Sequence, residues 1–213
     1  MIDAHVAKLR REFETLGLIE AEMASDPSAQ FEFWFDAAVD AGLYEPTAFV
    51  LATSTPDGRP SARAVLMKGF GPEGIVFYTN LGSRKSLELG ANPRAAATFV
   101  WTPLHRQVRF EGSVVLVESE VADSYFSTRP RGAQIAAHAS RQSRIVATRD
   151  ELDSRFREID AEYPHQVPRP EAWGGWRLVP DSVEFWQGQP NRFHDRVRYY
   201  LKKGVWALER LSP

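Results

Sequence analysis

TAFVLATSTPDGRPSARAVLMKGFGPEGIVFYTN, residues 47–80, decides between two architectures. Within it, GFGPEG at 69–74 matches the glycine pattern G-x-G-x-x-G. That pattern binds a pyrophosphate when a strand precedes it and a helix follows, because the helix N-terminus holds the anion. Here the following residues are IVFYTN, a strand-type run, and Pro72 suits a turn. The stretch therefore reads as antiparallel strands: TAFVLATS, the turn TPDGRP, SARAVLMK, a hairpin loop at GFGPEG, and GIVFYTN.

Upstream, DPSAQFEFWFDAAVDAG (26–42) has the signals of an amphipathic helix. Asp26 is its N-cap, Pro27 its first residue, and Phe31, Trp34, Phe35, Ala38 and Val39 form the apolar stripe closed by Gly42. Downstream, a short helix is expected from Ser83 to about Ala91, ending at Asn92–Pro93. RAAATFVW and RQVRFEGSVVLVES read as strands. Ser119 is the expected cap of a helix through Tyr125 and Phe126, and a further helical piece follows Pro130. Leu152, Phe156, Ile159 and Tyr163 mark another helix stopped by Pro164. WRLVP, SVEFWQG, RVRYYLK and VWALERL complete the chain as four strands. Helices inserted among many antiparallel strands predict a mainly β, α+β fold, a β-barrel with peripheral helices, rather than a doubly wound sheet.

The 213 residues are 43% hydrophobic and 12% aromatic, enough for a packed core in a single domain. No apolar run approaches the length of a membrane span, and the first residues lack the apolar stretch of a secretory signal. A cytoplasmic location is the expectation. Zero cysteines exclude disulfides, thiolate metal sites and a cysteine nucleophile. A formal net charge of −2 argues against nucleic acid as partner. His5, His105, His138, His165 and His194 show no metal-ligand spacing, and no metal is expected.

Local basic clusters carry more information. In YTNLGSRKS (78–86), Arg84 and Lys85 fall in the first turn of a helix, where cations oppose the dipole and a bound phosphate would justify them. An ordinary basic surface helix is the equal alternative. In RAVLMK (63–68), the odd spacing puts Arg63 and Lys68 on opposite faces of a straight strand, suited to two parts of one ligand or to two ligands. Gln107 and Gln142, with Ser143, have amide and hydroxyl groups suited to reading the edge of a polar ring, the alternative for each being an ordinary structural amide. Tyr125 and Arg129 lie four apart, one above the other if the segment is helical, and together suit a phosphate clamp; a helix-end arginine before Pro130 is the alternative. In EFWQGQPNRFHDR (184–196), alternation puts Arg192, His194 and Arg196 on one face if the segment is extended.

In this order the motifs LRREF, RAVLMK, FYTNLGSRK, RQVRFEG, YFSTRPRGAQ, SRQS, EFWQGQPNRFHDR and ERLSP resemble the pyridoxamine 5′-phosphate oxidase family over nearly the whole chain. The resemblance implies an FMN-binding split β-barrel and a homodimer with FMN at the subunit interface. It implies oxidation of pyridoxamine or pyridoxine 5′-phosphate to pyridoxal 5′-phosphate, with oxygen as acceptor.

Position by position, it implies FMN contacts from Arg63, Ala64, Val65, Leu66, Met67 and Lys68, and from Tyr78, Thr79, Arg84 and Lys85. Gln107, Gln142, Ser143, Trp186 and Arg196 complete that set. Lys68, Tyr125 and Arg129 match the residues that hold the substrate phosphate, and Arg192 and His194 match the active-site pair. Arg10, Arg11, Glu12 and Phe13 match a lid segment within residues 1–25.

The chain departs from the family pattern at Ala133, where a phosphate-binding serine is common, and at Phe13, where tyrosine is usual. It departs again at Ala136, His138 and Phe193. These departures leave open a related oxidase of another ring substrate, such as a dihydrophenazine, and a non-catalytic module that binds FMN or pyridoxal phosphate.

Overall fold

The computed structural model describes residues 17–213. The expected lid residues Arg10, Arg11, Glu12 and Phe13 lie outside the described residues. Among the described residues there are nine strands: β1 (Ala48–Ser54), β2 (Pro60–Leu66), β3 (Gly69–Gly71), β4 (Gly74–Asn80), β5 (Arg94–Trp101), β6 (Arg106–Leu116), β7 (Trp173–Gln187), β8 (Asp195–Lys202) and β9 (Val205–Arg210). The α-helices are α1 (Pro27–Asp40), α2 (Arg84–Ala91), α3 (Ser119–Ser127), α4 (Arg131–Ala139) and α5 (Arg149–Glu162). Hydrogen bonding orders the strands β2-β1-β5-β6-β7-β4-β3, with β8 paired to β7 and β9 to β8. Among the described residues no helix is long and apolar enough to cross a membrane.

The chain divides into two compact units, to both of which β5, β6 and β7 contribute residues. The described residues of the first are 17–48, 97–110 and 181–213. Its helix α1 starts as the sequence dictates: Asp26 accepts the free N–H groups of Ser28 and Ala29 at 2.9 and 3.1 Å, and Pro27 needs no acceptor. The buried face carries Phe31 and Trp34, each 1% exposed. Phe31 packs on Phe99 and edge-on to Phe110, both at 5.1 Å, and Trp34 meets Phe185 edge-on at 5.2 Å. Burying side chains of this size contributes about 1.5–3 kcal/mol each. In the same unit Arg210 donates to both carboxylate oxygens of Glu20, to Asp195 and to the Leu18 carbonyl, while Asp195 accepts the Leu18 N–H.

The second unit contains residues 49–96 and 111–180. GFGPEG is a hairpin, with Gly69 opposite Val76 and Gly71 opposite Gly74. Gly74 has φ +115°, which a glycine adopts without strain. Behind the strands, Phe126, Ile135, Val167 and Trp173 form a buried cluster on which Tyr78, Tyr125 and Phe156 pack.

Three local expectations change. Ser119 is the first residue of α3 rather than its cap; Glu118 holds the cap position without a side-chain bond. WRLVP and SVEFWQG form one strand, β7, of 15 residues. Pro180 interrupts the pattern there, but it sits where β7 changes partner: Leu178 pairs with Ile75 of β4 and Ser182 with Tyr200 of β8. A proline at such a point interrupts neither of these ladders.

The third change concerns the C-terminal motif. Pro190–Arg192 is a 3-10 turn, and Asn191 and Arg192 have φ +56° and +61°. The segment is therefore not extended, and alternation does not place Arg192, His194 and Arg196 on a common face. Pro190 sets the turn and Asn191 tolerates the left-handed region better than most residues.

Candidate functional site

The N-terminus of α2 organises one side of a cavity of about 690 Å³, lined entirely by residues of the second unit. Asn80 ends β4, and its side chain accepts the Gly82 N–H at 2.8 Å, turning the chain into Ser83 and the helix. Lys85 then points inward and is 8% exposed. Its ammonium donates to Thr79 Oγ1 at 3.0 Å, Gln142 Oε1 at 3.1 Å and Ser83 Oγ at 3.3 Å. All three acceptors are neutral. Burial, and secondly the Arg63 charge, lowers the Lys85 pKa. A cation held this way in a first helical turn is suited to an anionic ligand.

Arg63 reaches the same cavity from β2. It donates to Leu51 O, Thr53 Oγ1 and Ser61 Oγ, with Glu88 Oε2 at 3.4 Å. Glu88, 5% exposed, also takes Arg84 Nε at 2.8 Å and the hydroxyls of Thr53 and Ser61, each at 2.5 Å. Burial raises the Glu88 pKa, but the bonds from Ser61, Thr53 and Arg84 outweigh it and hold the carboxyl at about 2. β2 ends at Leu66, so Lys68 lies beyond the straight strand, and Arg63 and Lys68 line one cavity despite their odd spacing.

A second group of side chains comes from α3 and α4. Tyr125 stacks on Tyr78 at 4.2 Å and 12°, and Tyr78 lies parallel to Trp173 at 5.2 Å and 2°. Burial raises the pKa of both tyrosines. The Arg129 guanidinium sits 4.8 Å over the Trp173 ring and 5.6 Å from that of Phe126. Its Nη1 is buried with no hydrogen-bond partner. A buried guanidinium nitrogen without an acceptor is costly unless a ligand supplies one. Ala133 and Ala136 of α4 line the cavity beside it.

The expected site residues thus divide. Arg63, Ala64, Val65, Leu66, Lys68, Tyr78, Thr79, Arg84, Lys85, Gln142, Ser143, Tyr125, Arg129 and Ala133 line the one cavity. Met67 is 4% exposed and belongs to the core. Gln107, Trp186, Arg192, Phe193, His194 and Arg196 belong to the first unit. There, the Trp186 and His194 rings are 4.7 Å apart, and His194 Nδ1 accepts the Gln189 N–H at 3.1 Å. Arg196 pairs with Glu184 through two bonds, and Phe193 is 78% exposed. His138 contacts the Pro168 carbonyl through Nε2 at 2.7 Å. Among the described residues no group of three or more His, Asp or Glu is placed to hold a metal ion.

Glu88 and Trp173 emerge only from the structure. Arg84 and Glu88 at i,i+4 are visible as a helical ion pair, but nothing in the sequence announces Thr53 and Ser61 as its other partners.

Fold and site together define a β-sheet protein with a small-molecule cavity equipped for anionic, ring-bearing ligands. Residues 35–163 match the model of the pyridoxamine 5′-phosphate oxidase family, and residues 173–213 match the pyridoxine 5′-phosphate oxidase C-terminal dimerisation region. The chain belongs to the pyridoxamine 5′-phosphate oxidase family.

It is 53% identical to a pyridoxine/pyridoxamine 5′-phosphate oxidase of Rubrobacter xylanophilus, covering 98% of this chain and 96% of that protein. It is equally identical to one of Bordetella petrii, covering 98% and 99%. Among solved structures, PhzG from Burkholderia lata, in complex with tetrahydrophenazine-1-carboxylic acid, superposes with a TM-score of 0.87 at 30% identity over 92% of this chain and 98% of its own. A pyridoxamine 5′-phosphate oxidase-related, FMN binding protein from Nostoc punctiforme shares the fold with a TM-score of 0.73 at 18% identity, over 90% and 100%. These neighbours are split barrels, so the fold class expected from the sequence holds.

Proposed function

We propose that the protein is an FMN-dependent oxidase that converts pyridoxamine or pyridoxine 5′-phosphate to pyridoxal 5′-phosphate and reduces oxygen to hydrogen peroxide. The observation that carries this reading is one cavity with two separate sets of anion-binding groups, in a chain about half identical to oxidases of that name. Buried Lys85, surrounded by neutral oxygens, fits the phosphate of FMN. Arg63, Arg84, Thr79, Gln142 and Ser143 would hold the rest of the cofactor. Bound FMN supplies the two-electron acceptor and the route of those electrons to oxygen.

Lys68, Tyr125 and Arg129 would take the substrate's 5′-phosphate, with Arg129 Nη1 gaining the acceptor it lacks in the protein. Anchoring the phosphate fixes the ring and lowers the entropic part of the barrier. Arg192 would orient the substrate and stabilise developing charge. His194 Nδ1 accepts the Gln189 N–H, so a neutral imidazole carries its proton on Nε2, and His194 would support Arg192 or assist proton movement. For the amine, water supplies the carbonyl oxygen and ammonia leaves; the alcohol needs no water. In both cases two electrons and two protons end on oxygen. The match to a dimerisation region supports a homodimer, and FMN at the subunit interface belongs to this reading.

The test is aerobic turnover by the purified yellow protein, following aldehyde and peroxide together. Arg192→Ala is expected to lose turnover while retaining FMN, and Arg84→Ala to lose FMN. Flavin-loaded protein that yields no aldehyde would overturn the oxidase reading and favour a binding module. The PhzG likeness favours one other reading, oxidation of a reduced phenazine such as the tetrahydrophenazine-1-carboxylic acid bound to that protein. Turnover of that compound in preference to pyridoxamine 5′-phosphate would establish it.

A further inference from the structure

We propose that Trp173 is a positioning residue for the substrate phosphate, acting through Arg129 and Tyr125; this rests on the substrate reading above. Trp173 opens β7, 5% exposed, with its backbone tied at both polar groups. Its N–H donates to Pro170 O at 2.9 Å, and its carbonyl accepts Arg169 Nη1 at 2.7 Å. The indole is therefore a fixed plate. One contact is the Arg129 guanidinium at 4.8 Å. The indole also meets the parallel rings of Tyr78 at 5.2 Å and Tyr125 at 6.2 Å, and Phe126 edge-on at 5.0 Å.

A guanidinium can be stabilised by carboxylates or by aromatic faces, and the choice matters here. A carboxylate would occupy the N–H donors that a phosphate needs. An aromatic face attracts the cation without consuming a donor. Arg129 follows the second course: it lies against Trp173 and Phe126, and Nη1 is buried with no partner in the protein. Trp173 thus holds the charge in place and leaves the donor for an oxyanion. The stack through Tyr78 does the same for the Tyr125 ring. Trp173 makes no bond to the phosphate in this scheme.

Trp173 also packs in the buried cluster with Phe126, Ile135 and Val167, so its loss could act on stability alone. Comparing pyridoxamine 5′-phosphate with unphosphorylated pyridoxamine separates the two roles. Trp173→Leu keeps an apolar side chain, though a smaller one, and removes the π face. It is expected to raise KM for the phosphorylated substrate roughly tenfold, with kcat within about twofold and pyridoxamine turnover unchanged. Trp173→Phe, which keeps an aromatic face, should recover most of the loss. In an Arg129→Ala background, Trp173→Phe should add no further loss of phosphate discrimination, and this arm serves if the leucine variant does not fold.

Equal losses on both substrates, or additive losses in the double variant, would overturn the role of Trp173. Wild-type protein with no preference for the phosphorylated substrate would overturn the underlying substrate reading, and this role with it.

Discussion

Arg196 and Glu184 sit diagonally across β8 and β7 and are joined at two points, Nε to Oε1 at 2.8 Å and Nη2 to Oε2 at 3.1 Å. Glu184 is 7% exposed, and Arg109 approaches its Oε2 at 3.4 Å. A glutamine at 184 would turn an N–H₂ donor toward guanidinium donors that cannot accept. Glu184→Gln is expected to lower the unfolding free energy by about 2 kcal/mol, measured from urea transitions. An unchanged midpoint would mean that the pair contributes nothing net.

The Glu88 carboxyl is held at about 2, below its ordinary value of 4.5. The folded chain therefore binds this proton less well than the unfolded chain. Its contribution to stability is present above pH 4.5 and is lost as pH falls from there toward 2. Wild type and Glu88→Gln should differ most near neutral pH and converge in acid. Urea unfolding across that window checks the sign; a difference that grows toward low pH would contradict it.

Gly175 leaves room for the Tyr78 ring. A Cβ there would lie 2.8 Å from Tyr78 Cε1 and 3.0 Å from Val117 Cγ2. Gly175→Ala should cost about 1–3 kcal/mol and tilt Tyr78 out of its stack with Trp173. Thermal unfolding reads the first effect, and the near-ultraviolet circular dichroism of the aromatic stack reads the second.

Ala133 lines the same cavity as Arg129. A hydroxyl added there can donate to a bound phosphate. Ala133→Ser should lower KM for pyridoxamine 5′-phosphate about two- to tenfold, the value of one hydrogen bond, with pyridoxamine itself unaffected. Steady-state kinetics on the two compounds decides it.

The strands and helices were legible because their signals are local. Asp26 and Pro27 start α1, and the run after GFGPEG, IVFYTN, is rich in β-branched and aromatic residues. Reading β7 as two strands failed for a nonlocal reason, since Pro180 is acceptable only because the strand exchanges β4 for β8 there. The candidate site was legible where a motif maps onto one element, as at Arg84–Lys85 on α2; Tyr125 lies on α3, but that helix ends at Ser127 and Arg129 stands beyond it.

It was not legible where geometry departs from an ideal strand. The end of β2 at Leu66 brings Lys68 to the Arg63 cavity, and the left-handed Asn191 and Arg192 break the alternation of the C-terminal motif. Residues that act through others, such as Glu88 and Trp173, carry no spacing rule, because their partners come from distant strands and helices.

The clamp of Arg210 on Glu20 and Leu18 joins positions separated by 190 and 192 in sequence. During synthesis, the segment around residue 20 must wait for almost the entire remaining chain to leave the ribosome before it can dock. Closing so long a loop delays the native contact, since its entropy is lost before the ion pairs form. The helix α1 emerges early, and Trp34 on its apolar face waits with it for Phe185, so that part of the face stays unburied for most of synthesis.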